Sequence, residues 1–219
     1  ATTEIYTLSL HDALPIFYFG FYSFDADGVN VIGNHITAPH VYGIDPHDDT
    51  RNMLIAENLV EGARRSHGII LSRRIHRSAV VRNVSRGSAK SGFFIDKASH
   101  NVVFAGNLSE DNGGDGMVVH ESREILLVGN RVVGNHGDGI RIRASFRIGV
   151  HDNTILDNRR YGLRIYDFGQ STRPPNAEEA GQVLPVLVRV GANVISGNEA
   201  GGCIAPGADA TVLFEAGEV

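Results

Sequence analysis

Residues capable of proton transfer are concentrated in one short stretch, which runs from Tyr42 to Asp48. Asp45 and His47 flank a proline, and Asp48 follows the histidine directly. A neutral imidazole can accept a proton near neutral pH, and a neighbouring carboxylate can orient it. Arg73 stands in the next copy of the same pattern, and a guanidinium can bind a carboxylate through two parallel hydrogen bonds. These residue types predict a functional site at this point of the chain.

The stretch belongs to a repeat that predicts where its side chains point. A glycine followed by alternating apolar residues recurs at spacings of 25, 24, 24, 23 and 23 residues, at Gly43, Gly68, Gly92, Gly116, Gly139 and Gly162. Asparagines recur with the same period, at Asn34, Asn58, Asn83, Asn107, Asn130 and Asn153. Such a period is typical of stacked repeat architectures. We expect the asparagines to adopt left-handed corners and form a ladder, and the glycines to mark backbone corners.

Three short runs of β-forming residues per repeat predict an all-β fold, a parallel β-helix of about 24 residues per coil. The leucines do not follow the consensus of leucine-rich repeats, and a propeller blade needs about 40 residues or more. Within each strand, the first and third residues after the glycine are mostly apolar, so they should point into the core. The second and fourth residues should then point outward.

These outward positions, with the residues that precede the glycine and follow the strand, define a predicted polar groove. Six stacked coils would make it about 25 Å long. A groove of this length suits a linear polymer, and its arginines and lysine suit an anionic one. The alternative is an ordinary solvated charged face. The candidate substrate-binding residues in the groove are His67, Asp48, Asp96, Lys97, His120, Arg141 and Arg143.

Composition and the chain ends set further limits. The formal net charge is −5 and the pI is about 6.0, so no bulk basicity indicates nucleic acid. No apolar run approaches the roughly 18 residues of a membrane span.

Residues 1–16 match no repeat and resemble translated sequencing-adapter read-through, so we expect them to be non-native. Residues 17–219 are then a partial β-helix domain that lacks its N-terminal coils, with an inserted loop at about 168–185.

The motif Tyr42-Gly43-Ile44-Asp45-Pro46-His47-Asp48, followed by His67 to Arg73, resembles the periplasmic mannuronan C5-epimerases of alginate-producing bacteria. The resemblance spans about residues 25–200, and its Asp-Pro-His element is shared with the secreted, calcium-dependent alginate epimerases. Asp48-Asp49-Thr50 and His120-Glu121-Ser122 depart from the family's pattern. The resemblance implies a right-handed parallel β-helix, an isomerase that acts on alginate, a periplasmic location and contacts with secretion-complex proteins.

The resemblance also implies a catalytic role for four residues. His47 would be the base, Arg73 would neutralise the substrate carboxylate, and Asp45 would support the site. Tyr42 matches a tyrosine implicated in proton transfer, although His67 or a water molecule could equally return the proton. The carboxylate must be neutralised because removal of the adjacent C5 proton creates a second negative charge.

Two other classes of function remain open on the residues alone. A polysaccharide lyase would use the same base and cation, and a non-catalytic carbohydrate-binding β-helix would bind in the groove without turnover. We expect no cofactor and no metal, because a calcium-binding Gly-Gly-x-Gly-x-Asp array is not repeated in the sequence. Activity should therefore survive treatment with EDTA.

Overall fold

A computed structural model describes Glu4–Ile5 and residues 18–166, 186–204 and 210–214. In these residues every regular element is a β-strand, and all strand pairs are parallel. The strands form three sheets that run along the length of a solenoid, and each coil contributes one strand to each sheet. The predicted parallel β-helix is therefore confirmed.

The first sheet, which carries the candidate site, is called the site sheet. Its strands are β2 (Phe19–Phe24), β5 (Tyr42–His47), β8 (Ile69–Ser72), β11 (Phe93–Asp96), β14 (Met117–His120), β17 (Ile140–Arg143), β20 (Tyr161–Tyr166) and β23 (Gly201–Ile204). Its register places equivalent residues of successive coils side by side, as in the pairs Phe93–Ile69 and Phe93–Met117.

The second and third sheets complete each coil. The second comprises β1 (Glu4–Ile5), β3 (Asn30–Ile32), β6 (Leu54–Ala56), β9 (His76–Val81), β12 (His100–Ala105), β15 (Arg123–Val128), β18 (Phe146–His151), β21 (Val186–Gly191) and β24 (Ala210–Phe214). The third comprises β4 (His35–Thr37), β7 (Leu59–Glu61), β10 (Val84–Arg86), β13 (Leu108–Glu110), β16 (Arg131–Val133), β19 (Thr154–Leu156) and β22 (Val194–Ser196).

The core lies inside the coils and is built from the alternation that the sequence predicts. On the site sheet, the first and third residues after each glycine are buried, and they include Ile69, Leu71, Phe93, Ile95, Met117, Val119, Ile140, Ile142, Leu163 and Ile165. Burial of each such side chain stabilises the fold by roughly 1.5–3 kcal/mol. The same pleat points the intervening residues out of the solenoid, where they form the groove.

The repeat asparagines form the expected ladder, but the left-handed residue is the one before them. Asn83 Nδ2 donates to Asn107 Oδ1 at 3.0 Å, and Asn107 Nδ2 donates to Asn130 Oδ1 at 2.9 Å. The positive φ belongs to the preceding residue, which is Arg82 in one coil and Gly106 in the next. The prediction of left-handed asparagines was therefore wrong, because the ladder requires their side chains to point inward from the corner.

The glycines that open the site strands are required for close approach between coils. A Cβ atom on Gly43 would lie 2.7 Å from the carbonyl oxygen of Gly68, and closer still to Val60. None of these repeat glycines has a positive φ, so the close approach between coils, and not a left-handed backbone, accounts for glycine at these positions. They allow the third sheet to pack directly behind the site sheet.

The predicted domain boundaries remain predictions. Of residues 1–16, the structure describes Glu4–Ile5, which pairs with Asn30–Val31. The other residues of that segment, and the predicted loop at about 168–185, lie outside the described residues. Across the described ranges, no helix has the length and apolarity needed to cross a bilayer.

Candidate functional site

The groove site is built where each site strand ends. The residue after the strand adopts a left-handed conformation in successive coils, with φ values of 23° at Asp48, 71° at Arg73, 48° at Lys97 and 49° at Glu121. Such a residue no longer follows the pleat of the strand, so its side chain need not alternate to the inside. The turn can therefore place a charged side chain beside the outward residue that ends the strand.

His47 and Asp48 show the result most clearly. His47 Nδ1 lies 2.6 Å from Asp48 Oδ2, and the Asp48 side chain is only 10% exposed. Because a carboxylate only accepts hydrogen bonds, Nδ1 is the nitrogen that carries the proton. Nε2 of the neutral ring then holds the lone pair, on a side chain that is 34% exposed. The sequence left open whether Asp45 or Asp48 orients His47, and the contact belongs to Asp48.

Asp48 also contacts two arginines from the next coil. Its Oδ1 lies 3.2 Å from Arg73 Nε and 2.9 Å from Arg74 Nη2. The structure thus brings together His47, Asp48 and Arg73, as the sequence predicts. It adds Arg74, which the sequence analysis did not single out. Asp48, predicted as a substrate-binding residue, lies between the imidazole and the two guanidinium groups.

Asp45 lies in the same strand but is only 1% exposed. Burial raises the pKa of its carboxyl to about 6, although a hydrogen bond from Ser72 and the charge of His47 oppose the rise. Its Oδ1 has no hydrogen-bond partner among the described residues. Asp45 is the second residue after Gly43, so the alternation predicted that its side chain would be exposed on the outer face. In the structure it is buried.

Aromatic rings form a column at the opposite end of the site strands. Tyr42 stacks on His67, with ring centroids 6.1 Å apart and planes inclined by 4°, and His67 contacts Phe94 at 4.5 Å. His67 Nδ1 accepts a hydrogen bond from the Ser91 amide at 3.1 Å. Burial, aided by the charges of Lys90 and Arg141, lowers the pKa of His67 to about 3. His67 is therefore a neutral imidazole and a poor proton donor.

Tyr22, from the preceding coil, is a site residue that the sequence analysis missed. Its ring centroid lies 5.9 Å from that of His47, and its Cα pairs with that of Asp45. Desolvation, followed by the charges of Asp45 and Asp48, raises its pKa, so the phenol stays protonated. The sequence could have identified Tyr22, because Gly20 occupies the same repeat position as Gly43 and Tyr22 therefore aligns with Asp45.

The other five predicted groove residues lie further along the solenoid. His120 lies between two carboxylates: its Nδ1 is 2.8 Å from Asp96 Oδ1, and its Nε2 is 2.8 Å from Glu121 Oε1. Glu121 Oε1 also lies 3.4 Å from Arg143 Nη2. The two carboxylates outweigh the desolvation of the ring and raise the pKa of His120. Arg141 Nη2 pairs with Asp115 Oδ2 at 2.9 Å, in a separate cluster. Lys97 occupies the same turn position as Arg73, one coil further on.

Asp96, His120 and Glu121 are also the one group of described residues with three potential metal ligands in close proximity. Carboxylate oxygens face both nitrogens of the ring. The two carboxylates favour an imidazolium, which donates its Nδ1 proton to Asp96 and forms an ion pair with Glu121, whereas a metal ion would require a deprotonated nitrogen. The arrangement therefore fits a charged histidine better than a metal centre, and the expectation of metal-independent activity stays a prediction.

The fold and these clusters define a class of protein. The family model described as "Right handed beta helix region" matches residues 19–173, and the chain belongs to this family. The coils are accordingly right-handed, as the resemblance implied.

Curated relatives and solved structures give the likeness in more detail. The chain is 39% identical over 105 residues to a mannuronan C5-epimerase of Pseudomonas syringae, a match covering 48% of this chain and 20% of the relative. It is 46% identical over 68 residues to one from Pseudomonas aeruginosa, covering 31% of this chain and 12% of the relative. A crystal structure of the periplasmic alginate epimerase AlgG matches with a TM-score of 0.81 and 32% identity, over 90% of this chain and 46% of that chain.

A more distant match concerns the fold alone. The A-module of the Azotobacter vinelandii mannuronan C-5 epimerase AlgE4 matches with a TM-score of 0.61 at 17% identity, over 86% of this chain and 62% of that chain.

The chain covers only part of its relatives. It spans less than half of the matched AlgG structure, and its match covers about a fifth of the curated Pseudomonas syringae relative.

The buried Asp45 generates a stability prediction. A carboxyl whose pKa is raised in the folded state stabilises the fold most below its unfolded value near 3.8, and that contribution is lost as the pH rises through about 6. The ionised form at pH 7.5 should therefore cost up to about 3 kcal/mol. We expect Asp45→Asn to raise the Tm at pH 7.5 and to have little effect at pH 4, as measured by thermal unfolding. A lower Tm for the variant at pH 7.5 would contradict this.

His120 generates a prediction of pH dependence. Its pKa is raised in the folded state, so the stability that it contributes is fully present below pH 6.5 and is lost as the pH rises through the elevated value. The difference in unfolding free energy between wild type and His120→Gln should fall with rising pH. His100→Gln is the control, because burial lowers the pKa of His100 and the slope should reverse. A difference for His120→Gln that does not change with pH would count against the ion cluster.

Proposed function

We propose that the protein is the catalytic β-helix of an alginate-modifying C5-epimerase, which converts D-mannuronate to L-guluronate within the polymer. The observation that carries the proposal is the contact between His47 Nδ1 and Asp48, which leaves Nε2 as a base one coil from Arg73. The relatives named as mannuronan C5-epimerases support the same reaction class. The neighbouring structure named as a periplasmic epimerase supports a periplasmic location, where secretion-complex proteins would be further partners.

The arrangement of charges supports an anionic polymer as substrate. Cationic side chains recur along the site sheet and its turns, at Arg73, Lys97, Arg141, Arg143 and Arg164. Successive coils are about 4.8 Å apart, so these charges are distributed along the length of the site sheet. A linear polyuronate carries one carboxylate per sugar residue, and a row of cations can bind several of them at once. A small molecule would occupy only one or two coils.

The reaction begins with neutralisation of the substrate carboxylate. The C5 proton lies next to that carboxylate, and its removal leaves an enediolate with two negative charges. Arg73, whose side chain is 37% exposed, would stabilise this charge through hydrogen bonds that strengthen as it develops. His47 Nε2 would take the proton, and Asp48 would stabilise the imidazolium that forms, since it already accepts from Nδ1.

Return of a proton to the opposite face of C5 completes the inversion. The low pKa of His67 argues against this residue as the acid, because a neutral imidazole carries no labile second proton. The phenols of Tyr42 and Tyr22 and a water molecule remain as donors. The ring of Tyr22 lies 5.9 Å from that of His47, centroid to centroid, and its raised pKa keeps the phenol protonated at neutral pH.

Replacement of the base tests the proposal directly. His47→Gln should lower the rate of guluronate formation at least about 10²-fold, because a general base is lost. The fold should be retained, since the side chain points out of the core. The assay is proton NMR of poly-mannuronate incubated with each protein. His35→Gln is the control, because His35 lies on the exposed third sheet and pairs with Glu61. A His47→Gln variant with more than half of the wild-type rate would exclude His47 as the base.

Replacement of Arg73 tests the neutralising cation. Arg73→Lys keeps the positive charge but loses the planar fork that matches a carboxylate, so kcat/KM should fall at least about tenfold. Arg73→Ala should be weaker still in both binding and turnover. Arg77→Lys provides the matched control on the second sheet, where Arg77 bonds to Asn52. Normal turnover of poly-mannuronate by Arg73→Ala would assign the neutralising role to another cation of the groove.

A further inference from the structure

Arg74 joins two consecutive aspartates of the preceding coil. Its Nε lies 2.7 Å from Asp49 Oδ1 and its Nη2 lies 2.8 Å from Asp49 Oδ2, which is the parallel fork geometry of a bidentate pair. The same Nη2 lies 2.9 Å from Asp48 Oδ1. One guanidinium therefore fixes Asp49 and the carboxylate that accepts from His47.

The backbone at this point shows why a side-chain constraint is needed. Asp48 and Asp49 have φ values of 23° and 62°, and Arg73 and Arg74, stacked on them, have values of 71° and 57°. Amide hydrogen bonds from Asp48 to the Ser72 carbonyl and from Asp49 to the Arg73 carbonyl hold the two turns together. These bonds fix the main chain but leave the direction of the Asp48 carboxylate to its side-chain partners.

Arg74 is better placed than Arg73 to set that direction. Arg73 contacts Asp48 through Nε at the longer distance of 3.2 Å, and the proposed reaction requires its guanidinium to engage the substrate. Arg74 is also anchored by Asp49, whose two carboxylate oxygens it contacts, so it can hold Asp48 throughout the reaction.

We propose that Arg74, anchored by Asp49, is a positioning residue that holds the Asp48 carboxylate against His47 Nδ1 and so keeps Nε2 as the basic nitrogen. The inference rests on the proposed function. It predicts an effect on the orientation and protonation of His47, with little effect on substrate affinity.

The test compares Arg74→Gln with Arg82→Gln. Arg82 makes the same kind of cross-coil pair with Glu57, at 2.6 Å between Nη2 and Oε1, and both residues are also left-handed, but the pair lies at the asparagine corner away from the groove. Arg74→Gln should lower kcat at least about tenfold, because misplacement of a catalytic group by one ångström costs up to about a hundredfold. Its KM should stay within about twofold of wild type, and Arg74→Lys should recover part of the loss.

Two readouts separate positioning from a general loss of structure. The kinetic readout is the split between the two constants, because a positioning defect lowers kcat and leaves KM nearly unchanged, whereas a general loss of structure would change both. Nitrogen-15 NMR of His47 should show protonated Nδ1 in the neutral wild type and a mixture of tautomers in Arg74→Gln. The NMR readout needs no turnover, so it tests Arg74 even if the protein does not epimerise poly-mannuronate.

The contrary outcomes are equally specific. A fall in kcat no greater than that of Arg82→Gln would overturn the inference, as would an unchanged His47 tautomer in Arg74→Gln. A rise in KM with unchanged kcat would assign Arg74 to substrate binding instead.

Discussion

Parallel pairing between successive coils is the constraint on which the rest of the structure depends. Because each coil stacks in register on the last, a residue's position in the repeat fixes both its sheet and its face. The buried asparagine ladder and the glycines that open the site strands preserve that register. Residues distant in sequence, such as His47 and Arg73, thereby become neighbours on one surface.

Within this frame, the chemistry depends on one departure from strand geometry. The left-handed turn after each site strand releases the next side chain from the pleat, and at Asp48 it places a carboxylate against His47. The same turn position gives Arg73 one coil on and Glu121 three coils on. The left-handed turn thus places both the carboxylate that orients His47 and the neighbouring Arg73. In a later coil it places Glu121 beside His120.

The sequence predicted what the period of the repeat determines. The coil length, the apolar core and the proximity of His47, Asp48 and Arg73 all follow from counting residues along a pleated strand. Counting places Arg73 one coil from Asp48, but it does not predict how the side chains of Asp49 and Arg74 pair. All four residues lie in left-handed turns, where alternation gives no side-chain direction. The burial of Asp45 depends on neighbouring side chains, which the pattern of one strand does not show. Site roles and domain boundaries remain predictions for experiment.

The central claim is that His47 removes the C5 proton of a polymer-bound mannuronate and that the intermediate is reprotonated on the opposite face. The most direct test is proton NMR of poly-mannuronate incubated with the protein in deuterated water. The account predicts guluronate residues that carry deuterium at C5, with no unsaturated chain ends. Unsaturated ends would instead show elimination by a lyase, and polymer that binds but gains neither guluronate nor deuterium would show a non-catalytic binding protein; either result would contradict the account.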